Sequence, residues 1–292
     1  MNQKKVHKAV IPAAGLGTRL FPATKILKKE LFPLIDQDGR AKPAMLIIVE
    51  EAIKAGITEI AIVVPAGETN SLAEFFSQPL SASLKAKLSP ENLAYHDYIL
   101  NLGKKISFIY QNSPEGYGHA IYCAREWLGN EPFLLLLGDH VYKSALPINC
   151  ARQVIEIYEQ LQKSTIGLTI MSGDIIQKAG CVTGNWQKPR EIMELKQICE
   201  KPSLEYAQTH LQMPDMNKNE FLAVFGIYVL DSAIFGYLER EIKQNQRYKN
   251  EFQLTTSLEK MRAQEGMIGY LVKGQYFDIG MPQFYRQTVA EF

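Results

Sequence analysis

Short apolar stretches alternate with longer amphipathic stretches along the first half of the chain. The short stretches predict strands, at residues 8–13, 59–65, 105–111, 133–140 and 165–171. Residues 44–56 and 118–129 lie between them and carry apolar side chains at the spacing of a helix. Residues 133–138, "FLLLLG", are apolar without a break, which is typical of a strand buried on both faces. The alternation predicts an α/β fold with a parallel sheet covered on both sides.

Two stretches interrupt this alternation. Residues 69–104 predict two helices with a linker, inserted between neighbouring strands, and residues 171–221 are polar with strand-like pieces at 181–186 and 191–202. A strand at 221–230, helices at 232–244 and 254–266 and a strand at 267–274 follow. We find no internal repeat, low-complexity tract or clear linker. We therefore expect a single domain over residues 1–292, with a Rossmann-like, mostly parallel sheet flanked by helices and a second, smaller lobe.

Charge and cysteine content narrow the class of protein. The 292 residues include 32 basic and 31 acidic side chains, a formal net charge of +1, whereas general binding to nucleic acid or a membrane surface needs a broad basic field. Four widely spaced cysteines form no C-x-x-C pair, which favours reduced thiols over a zinc site or a disulfide framework. No apolar run approaches the roughly 20 residues that span a bilayer, and the N-terminal stretch lacks the long apolar region of a signal peptide. We therefore expect a cytoplasmic protein.

A glycine-containing loop, residues 13–20, follows the first predicted strand. Glycine has no Cβ, so the backbone N–H groups of such a loop can approach a phosphate closely. A dinucleotide fingerprint would need a third glycine where Leu20 stands, although Asp36 lies at about the 20-residue distance expected of a ribose-binding acid. The Walker pattern fails as well, since Gly17 is followed by Thr18 and Arg19. The loop predicts phosphate binding of another kind.

A row of cations follows the glycines, at Arg19, Lys25, Lys28 and Lys29. Fixed cations beyond a phosphate-binding loop suit a ligand with several phosphates. They suit even better a reaction in which negative charge grows on a leaving pyrophosphate. We interpret Lys28 as part of a solvated helix face, and Arg19 and Lys29 as functional because they belong to a longer pattern.

That longer pattern, G-x-G-T-R-x-x-P-x-T-x-x-x-x-K-x-x-x-P over residues 15–33, resembles the signature of the sugar-1-phosphate nucleotidyltransferases. Four further segments resemble motifs of that family in the family's order. They are "QNSPEGYGHA" at 111–120, "LLLLGDH" at 134–140, "EKP" at 200–202 and "GQYFDIG" at 274–280. The resemblance therefore covers most of the chain.

The resemblance implies a role for each matching residue. Nucleotide binding is implied for Ala14, Gly15, Gly17, Thr18, Lys25, Gln111 and Gly116, the last two at the base. Sugar binding is implied for Gly180, Glu200 and Lys201, and catalysis for Arg19, Lys29 and Lys201. Asp139 and Asp278 are the implied ligands of Mg²⁺, the expected cofactor. We interpret His119 and His140 as structural residues without a metal role.

The implied reaction joins a sugar 1-phosphate to a nucleoside triphosphate by in-line attack on the α-phosphate, and pyrophosphate leaves. It implies a nucleotide-binding lobe over about residues 1–145, and a sugar-binding lobe with the C-terminal helices over about 146–292. "PATK" at 22–25, "KELFP" at 29–33 and "NSLAEFF" at 70–76 resemble the bacterial UTP–glucose-1-phosphate uridylyltransferases within the family. The expected partners are therefore UTP and glucose 1-phosphate, with no nucleic acid and no membrane, in a homo-oligomer.

Some positions depart from that branch, and other functions stay open. The sequence differs from the usual pattern of that branch at Lys28, at Ala179 and the residues up to Val182, at Phe221, and in a longer loop at 36–40. Ala179 and Phe221 fall in the expected sugar lobe. The alternatives are another substrate pair, with dTTP or another hexose 1-phosphate, an NAD-dependent oxidoreductase, and an inactive homologue with a regulatory role. The missing third glycine argues against the oxidoreductase, and the presence of both metal aspartates and both phosphate lysines argues against the inactive homologue.

Overall fold

The structure, a computed structural model, describes residues 3–67 and 70–292. Thr69, where the predicted helical insertion begins, and residues 1 and 2 of the N-terminal stretch lie outside the described residues. The strands are β1 (Lys8–Pro12), β2 (Pro33–Ile35), β3 (Ala41–Pro43), β4 (Glu59–Pro65), β5 (Ile106–Gln111), β6 (Phe133–Leu136), β7 (His140–Ser144), β8 (Thr165–Ser172), β9 (Gly180–Lys188), β10 (Ile192–Glu200), β11 (Glu220–Leu230), β12 (Ile268–Leu271) and β13 (Gly274–Asp278). The helices are α1 (Ala44–Lys54), α2 (Ser71–Ser77), α3 (Ala82–Lys85), α4 (Pro90–Gly103), α5 (Tyr117–Cys123), α6 (Arg125–Leu128), α7 (Cys150–Leu161), α8 (Leu204–His210), α9 (Ile234–Lys243), α10 (Leu254–Glu265) and α11 (Pro282–Glu291).

A nine-stranded sheet forms the centre of the molecule, and its first half is parallel as predicted. β5, β4, β1 and β6 lie side by side in that order, and each neighbouring pair is parallel. Alternate residues of these strands pack on opposite faces: Ile11 belongs to one apolar core cluster, and Val10 belongs to the other. Both faces are therefore covered, which is why the strands read as continuous apolar runs.

The prediction of a mostly parallel sheet is wrong for the second half of the chain. β11 is antiparallel to both β6 and β8, and β10 is antiparallel to both β9 and β12, while β8 and β12 are parallel. An additional antiparallel pairing of β11 with β9 closes β11, β8, β12, β10 and β9 into a ring. The fold is therefore mixed α/β. A continuous apolar run indicates burial on both faces, but it does not indicate the direction in which the strand runs.

Two small pairings lie beside the main sheet and position loops of the site. β7 pairs with β13 in antiparallel register, so that His140 lies opposite Asp278. β2 pairs with β3 and leads directly into α1. The β9–β10 pair brings Gly180 opposite Glu200.

The helical elements match the predictions with local changes. α2 and α4 are the two helices expected in the insertion, and the one-turn helix α3 lies in the linker between them. The helix expected at residues 118–129 is divided at Ala124 into α5 and α6. The four cysteines are free, as predicted. None of the helices in residues 3–67 and 70–292 has both the length and the apolar character needed to cross a bilayer.

A buried lysine connects the β2–β3 hairpin to the helices. The Nζ of Lys42, a residue only 2% exposed, lies 2.5 Å from Asp36, 2.8 Å from Asp38 and 2.8 Å from Glu50 of α1. Tyr95 of α4 donates a hydrogen bond of 2.8 Å to Glu50. Burial lowers the pKa of Lys42, but the hydrogen bonds to these carboxylates more than offset it and raise the pKa. Asp36 thus pairs with Lys42. Its distance from the glycine loop, which matched that of a ribose-binding acid, therefore has a structural explanation.

We expect Lys42→Met to lower the free energy of unfolding by about 3–5 kcal/mol, because it leaves the carboxylate of Glu50 buried without its cation. Lys85→Met on the exposed surface of α3 is the matched control, and we expect a change within about 0.5 kcal/mol. Urea unfolding followed by circular dichroism measures both. Equal stability of the two variants would contradict a structural role for the Lys42 cluster.

Candidate active site

A cavity of about 860 Å³ opens beyond the carboxyl ends of β1, β5 and β6, where an α/β sheet binds its ligands. The strands and loops of the second half of the chain and α11 form its other walls. The predicted site residues on its lining are Ala14, Gly15, Thr18, Arg19, Lys29, Gln111, Gly116, Asp139, Gly180, Glu200, Lys201 and Asp278. The structure therefore brings residues from five separate sequence motifs to one cavity.

Two predicted residues are not on that lining. Gly17 is half-buried within the loop, and Lys25 is exposed in a short turn after the loop. Phe221, one of the departures from the usual pattern, is fully buried in a small apolar cluster, whereas Ala179 lines the cavity. The nucleotide-binding role of Lys25 stays a prediction.

The glycine loop needs glycine at position 17 for two reasons. Gly17 has φ +65°, in the left-handed region that disfavours other residues, and begins the turn Thr18–Leu20. A Cβ there would lie 2.9 Å from Cγ2 of Thr24, whose hydroxyl donates a hydrogen bond of 3.1 Å to the Gly17 carbonyl. Gly17 thus shapes the loop, while Gly15 faces the cavity.

An ion pair joins the segment after the loop to the end of β6. The Lys29 Nζ lies 2.6 Å from Oδ2 of Asp139, and His140 Nδ1 lies 3.1 Å from its Oδ1. Burial alone would raise the pKa of the Asp139 carboxyl, but Lys29 and His140 hold it well below its usual value. Burial lowers the pKa of Lys29 in turn, and the charges of Asp139 and Glu30 more than offset this and raise it. Both groups are therefore charged at neutral pH.

The two aspartates predicted to bind a metal lie next to each other. Asp278 ends β13 opposite His140 of β7, and the Ile279 N–H donates a hydrogen bond of 2.9 Å to the Asp139 carbonyl. A Cβ on Gly280 would lie 2.9 Å from Oδ2 of Asp139 and 3.0 Å from Oδ1 of Asp278. A side chain at position 280 would therefore collide with both carboxylates.

The donor set suits magnesium. Mg²⁺ is commonly held by one or two carboxylates together with waters and substrate phosphates, rather than by a cage of protein ligands. The described residues contain no group of three or more His, Cys, Asp or Glu side chains that could hold a metal, so this pair of carboxylates fits that open kind of site. Asp139 and Asp278 could therefore hold Mg²⁺ beside the phosphates of a ligand.

A glutamine and a glycine with positive φ lie next to each other on the cavity lining. Gln111, 5% exposed at the end of β5, donates from Nε2 to the Gly116 carbonyl at 3.3 Å. Its Nε2 is also 2.9 Å from Nδ1 of His119. Gly116 has φ +108°, and a Cβ there would lie 2.7 Å from Cβ of Glu251 and 2.9 Å from the Phe252 carbonyl. Only glycine fits this position, which packs the loop against residues 251–252.

The predicted sugar-binding residues lie close to one another on the cavity lining. Oε2 of Glu200 accepts a hydrogen bond of 2.6 Å from Thr255 of α10, and Lys201 Nζ lies 3.3 Å from Oε1 of Glu200. Lys201 has φ +45°, an unusual conformation for a residue with a side chain and one that recurs at functional sites. A Cβ on Gly180 would lie 3.6 Å from Oε2 of Glu200.

Sequence reasoning missed three residues of this lining. Glu30 is 1% exposed, both of its carboxylate oxygens lack a hydrogen-bond partner, and burial raises its pKa to about 7 against the lowering effect of Lys29. The Tyr117 hydroxyl is also buried without a partner. Thr255 positions Glu200. An acidic residue within a basic run was the available signal for Glu30, whereas no sequence signal distinguishes Tyr117 or Thr255.

Comparison with known proteins identifies one family and several similar enzymes. A model of the family described as "Nucleotidyl transferase" matches residues 8–291. The UTP–glucose-1-phosphate uridylyltransferase of Staphylococcus epidermidis is 34% identical over 99% of this chain and 93% of its own length. A Bacillus subtilis enzyme of the same name is 36% identical over 95% of this chain and 86% of its own length.

Solved structures agree with the sequence comparisons. A UDP-glucose pyrophosphorylase in complex with UDP-glucose superimposes with a TM-score of 0.79 at 30% identity, and covers 98% of this chain and 97% of its own. The UTP-bound enzyme from Acinetobacter baumannii has a TM-score of 0.76 at 28% identity, covering 98% of this chain and 92% of its own.

We expect Gly280→Ala to weaken divalent-metal binding by about 10–100-fold, the usual effect of disturbing the groups that orient metal ligands. Its Cβ would push apart the two aspartate carboxylates. Gly236→Ala is the matched control, because a Cβ on that helical glycine meets nothing within 4 Å. Titration with Mn²⁺, followed by electron paramagnetic resonance, measures the binding. Unchanged affinity in Gly280→Ala would show that the carboxylate pair is not the metal site.

Proposed function

Since the chain belongs to the nucleotidyl transferase family, we propose that it transfers a uridylyl group from UTP to glucose 1-phosphate and releases UDP-glucose and pyrophosphate. The observation that carries this proposal is the single cavity. Its lining includes Gln111 with Gly116, Lys29 with Asp139, and Glu200 with Lys201. These three pairs suit a base, a phosphate chain and a sugar phosphate, and their presence on one lining supports the proposal.

The chemistry requires charge neutralisation and alignment, and no covalent intermediate on the protein. A phosphate oxygen of glucose 1-phosphate attacks the α-phosphorus of UTP and forms a new P–O bond. The bond from the α-phosphorus to the oxygen it shares with the β-phosphate breaks, and the electron pair leaves with pyrophosphate. Enzymes of this family typically use Mg²⁺. Held by Asp139 and Asp278, the ion supplies positive charge to the reacting phosphates when bound.

Residues of the chain bind the sugar phosphate, the sugar and the triphosphate. Lys201 anchors the phosphate of glucose 1-phosphate, and Glu200, held by Thr255, accepts hydrogen bonds from sugar hydroxyls. Arg19 and Lys29 stabilise charge on the departing pyrophosphate, and Arg19 has the planar guanidinium that suits phosphate oxygens. Ala14, Gly15 and Thr18 present the loop backbone to the triphosphate. In this assignment the nucleotide lobe spans about residues 1–145, and the sugar lobe begins at about 146.

We expect a preference for UTP, measurable activity with dTTP and little use of purine nucleotides. Uracil and thymine present the same hydrogen-bonding edge to Gln111 and Gly116, and a methyl group alone is worth about 1–3 kcal/mol in a tight pocket. A pyrophosphate-release assay tests this by crossing UTP, dTTP, CTP, ATP and GTP with glucose, galactose, mannose and N-acetylglucosamine 1-phosphates. A preference for ATP or GTP would overturn the base assignment. A preference for another sugar would overturn the choice of glucose and leave the reaction type standing.

Lys201→Ala and Lys29→Ala separate the two ends of the phosphate chain. A lysine that anchors the bound sugar phosphate acts in the ground state and the transition state, so we expect Lys201→Ala to raise KM for glucose 1-phosphate and lower kcat. Lys29 serves charge that develops on the leaving group, so Lys29→Ala should lower kcat, by about 10²–10³-fold, with a smaller change in that KM. Steady-state kinetics at saturating UTP measure both. A larger KM effect in Lys29→Ala would exchange the two roles.

A further inference from the structure

The side-chain amide of Gln111 has both of its hydrogens engaged inside the protein. One points to the Gly116 carbonyl at 3.3 Å, and the other points to Nδ1 of His119 at 2.9 Å. The backbone carbonyl can only accept a hydrogen bond, so the group facing it must be the amide nitrogen. His119 Nδ1 therefore acts as the acceptor of the second hydrogen, and the proton of its neutral ring is on Nε2.

This arrangement leaves the amide oxygen of Gln111 for a ligand. Gln111 lines the cavity, whereas His119 does not, so any effect of His119 on a ligand passes through Gln111. With both hydrogens engaged, the amide can offer the ligand only an acceptor. Rotating the amide by 180° would direct its oxygen at the Gly116 carbonyl and at the lone pair of Nδ1, which is unfavourable at both contacts.

The segment that carries His119 contacts Phe252 in two ways. His119 lies in the first turn of α5, and the N–H of the preceding residue, Gly118, donates a hydrogen bond of 2.8 Å to the Phe252 carbonyl. The aromatic ring of Phe252 lies 6.4 Å from the imidazole, centroid to centroid. A backbone hydrogen bond and a ring contact thus hold the segment that carries the acceptor nitrogen.

We propose that His119 is a specificity-determining residue that acts by positioning Gln111 so that its oxygen faces the base. This rests on the proposed function, in which Gln111 contacts the base. In this proposal the oxygen meets position 3 of the ring, where an acceptor selects a pyrimidine with N3–H, as in uracil and thymine. Cytosine has a lone pair at N3, which would face the amide oxygen and lose the hydrogen bond. His119 thereby excludes CTP while accepting UTP, although it touches neither.

The test compares the dissociation constants of UTP and CTP, measured by calorimetry with Mg²⁺ present. His119→Leu removes the acceptor, and we expect the preference for UTP over CTP to fall by about tenfold, the scale of one buried hydrogen bond. His119→Asn places an acceptor oxygen near the position of Nδ1 and should restore most of the preference. His119→Ala serves as a second acceptor-free variant if the leucine variant does not fold. His7→Leu, at an exposed position before β1, is the matched control and should retain the wild-type ratio.

The outcomes are distinguishable. Loss of preference in the leucine or alanine variant with recovery in the asparagine variant would support the proposal. An unchanged UTP-to-CTP ratio in the acceptor-free variants, or equal loss in His119→Asn, would overturn it and leave the uridylyltransferase function standing. Failure of the wild-type protein to bind UTP would overturn the proposed function together with this inference.

Discussion

The ion pair between Lys29 and Asp139 is the interaction around which the candidate site is built. Asp139 follows a fully apolar strand, where burial opposes ionisation, and the ammonium at 2.6 Å offsets that cost. Removing either charge would leave the other uncompensated. The pair therefore fixes the distance between the segment after the glycine loop and the end of β6. Through the β7–β13 pairing, it also fixes the position of Asp278.

The mixed sheet explains how two distant groups of predicted site residues come to line one cavity. Its parallel half directs the carboxyl ends of β1, β5 and β6 to the same edge, where backbone amides and Gln111 are grouped. The ring of strands in the second half carries Gly180 and Glu200 on the neighbouring strands β9 and β10. β11 pairs with β6 on one side and β8 on the other, and so joins the two halves. The substrates proposed here would meet at that junction.

Most of the predicted site residues line one cavity, and the sequence indicated them because local motifs along the chain resemble those of a known family. Three features are visible in the sequence itself. They are the glycines before Arg19, the aspartate after an apolar strand and the Glu200–Lys201 pair. Lys25 shows the limit of this reasoning, because a cation beside the loop in sequence is exposed outside the cavity in space. Asp36 shows the same limit, since its distance along the chain suggested a ribose contact and its actual partner is Lys42.

The sequence by itself determined the parallel half of the sheet, the positions of the long helices and the motifs that supply the site, because apolar periodicity and residue chemistry are local properties. The direction of β11 and β10, the short strands β7 and β13, and the C-terminal helix α11 were decided by tertiary structure. So was the contact of His119, interpreted from sequence as structural, with the Gln111 amide. These features depend on contacts between residues distant in the chain, and no local pattern records which partner a side chain will meet.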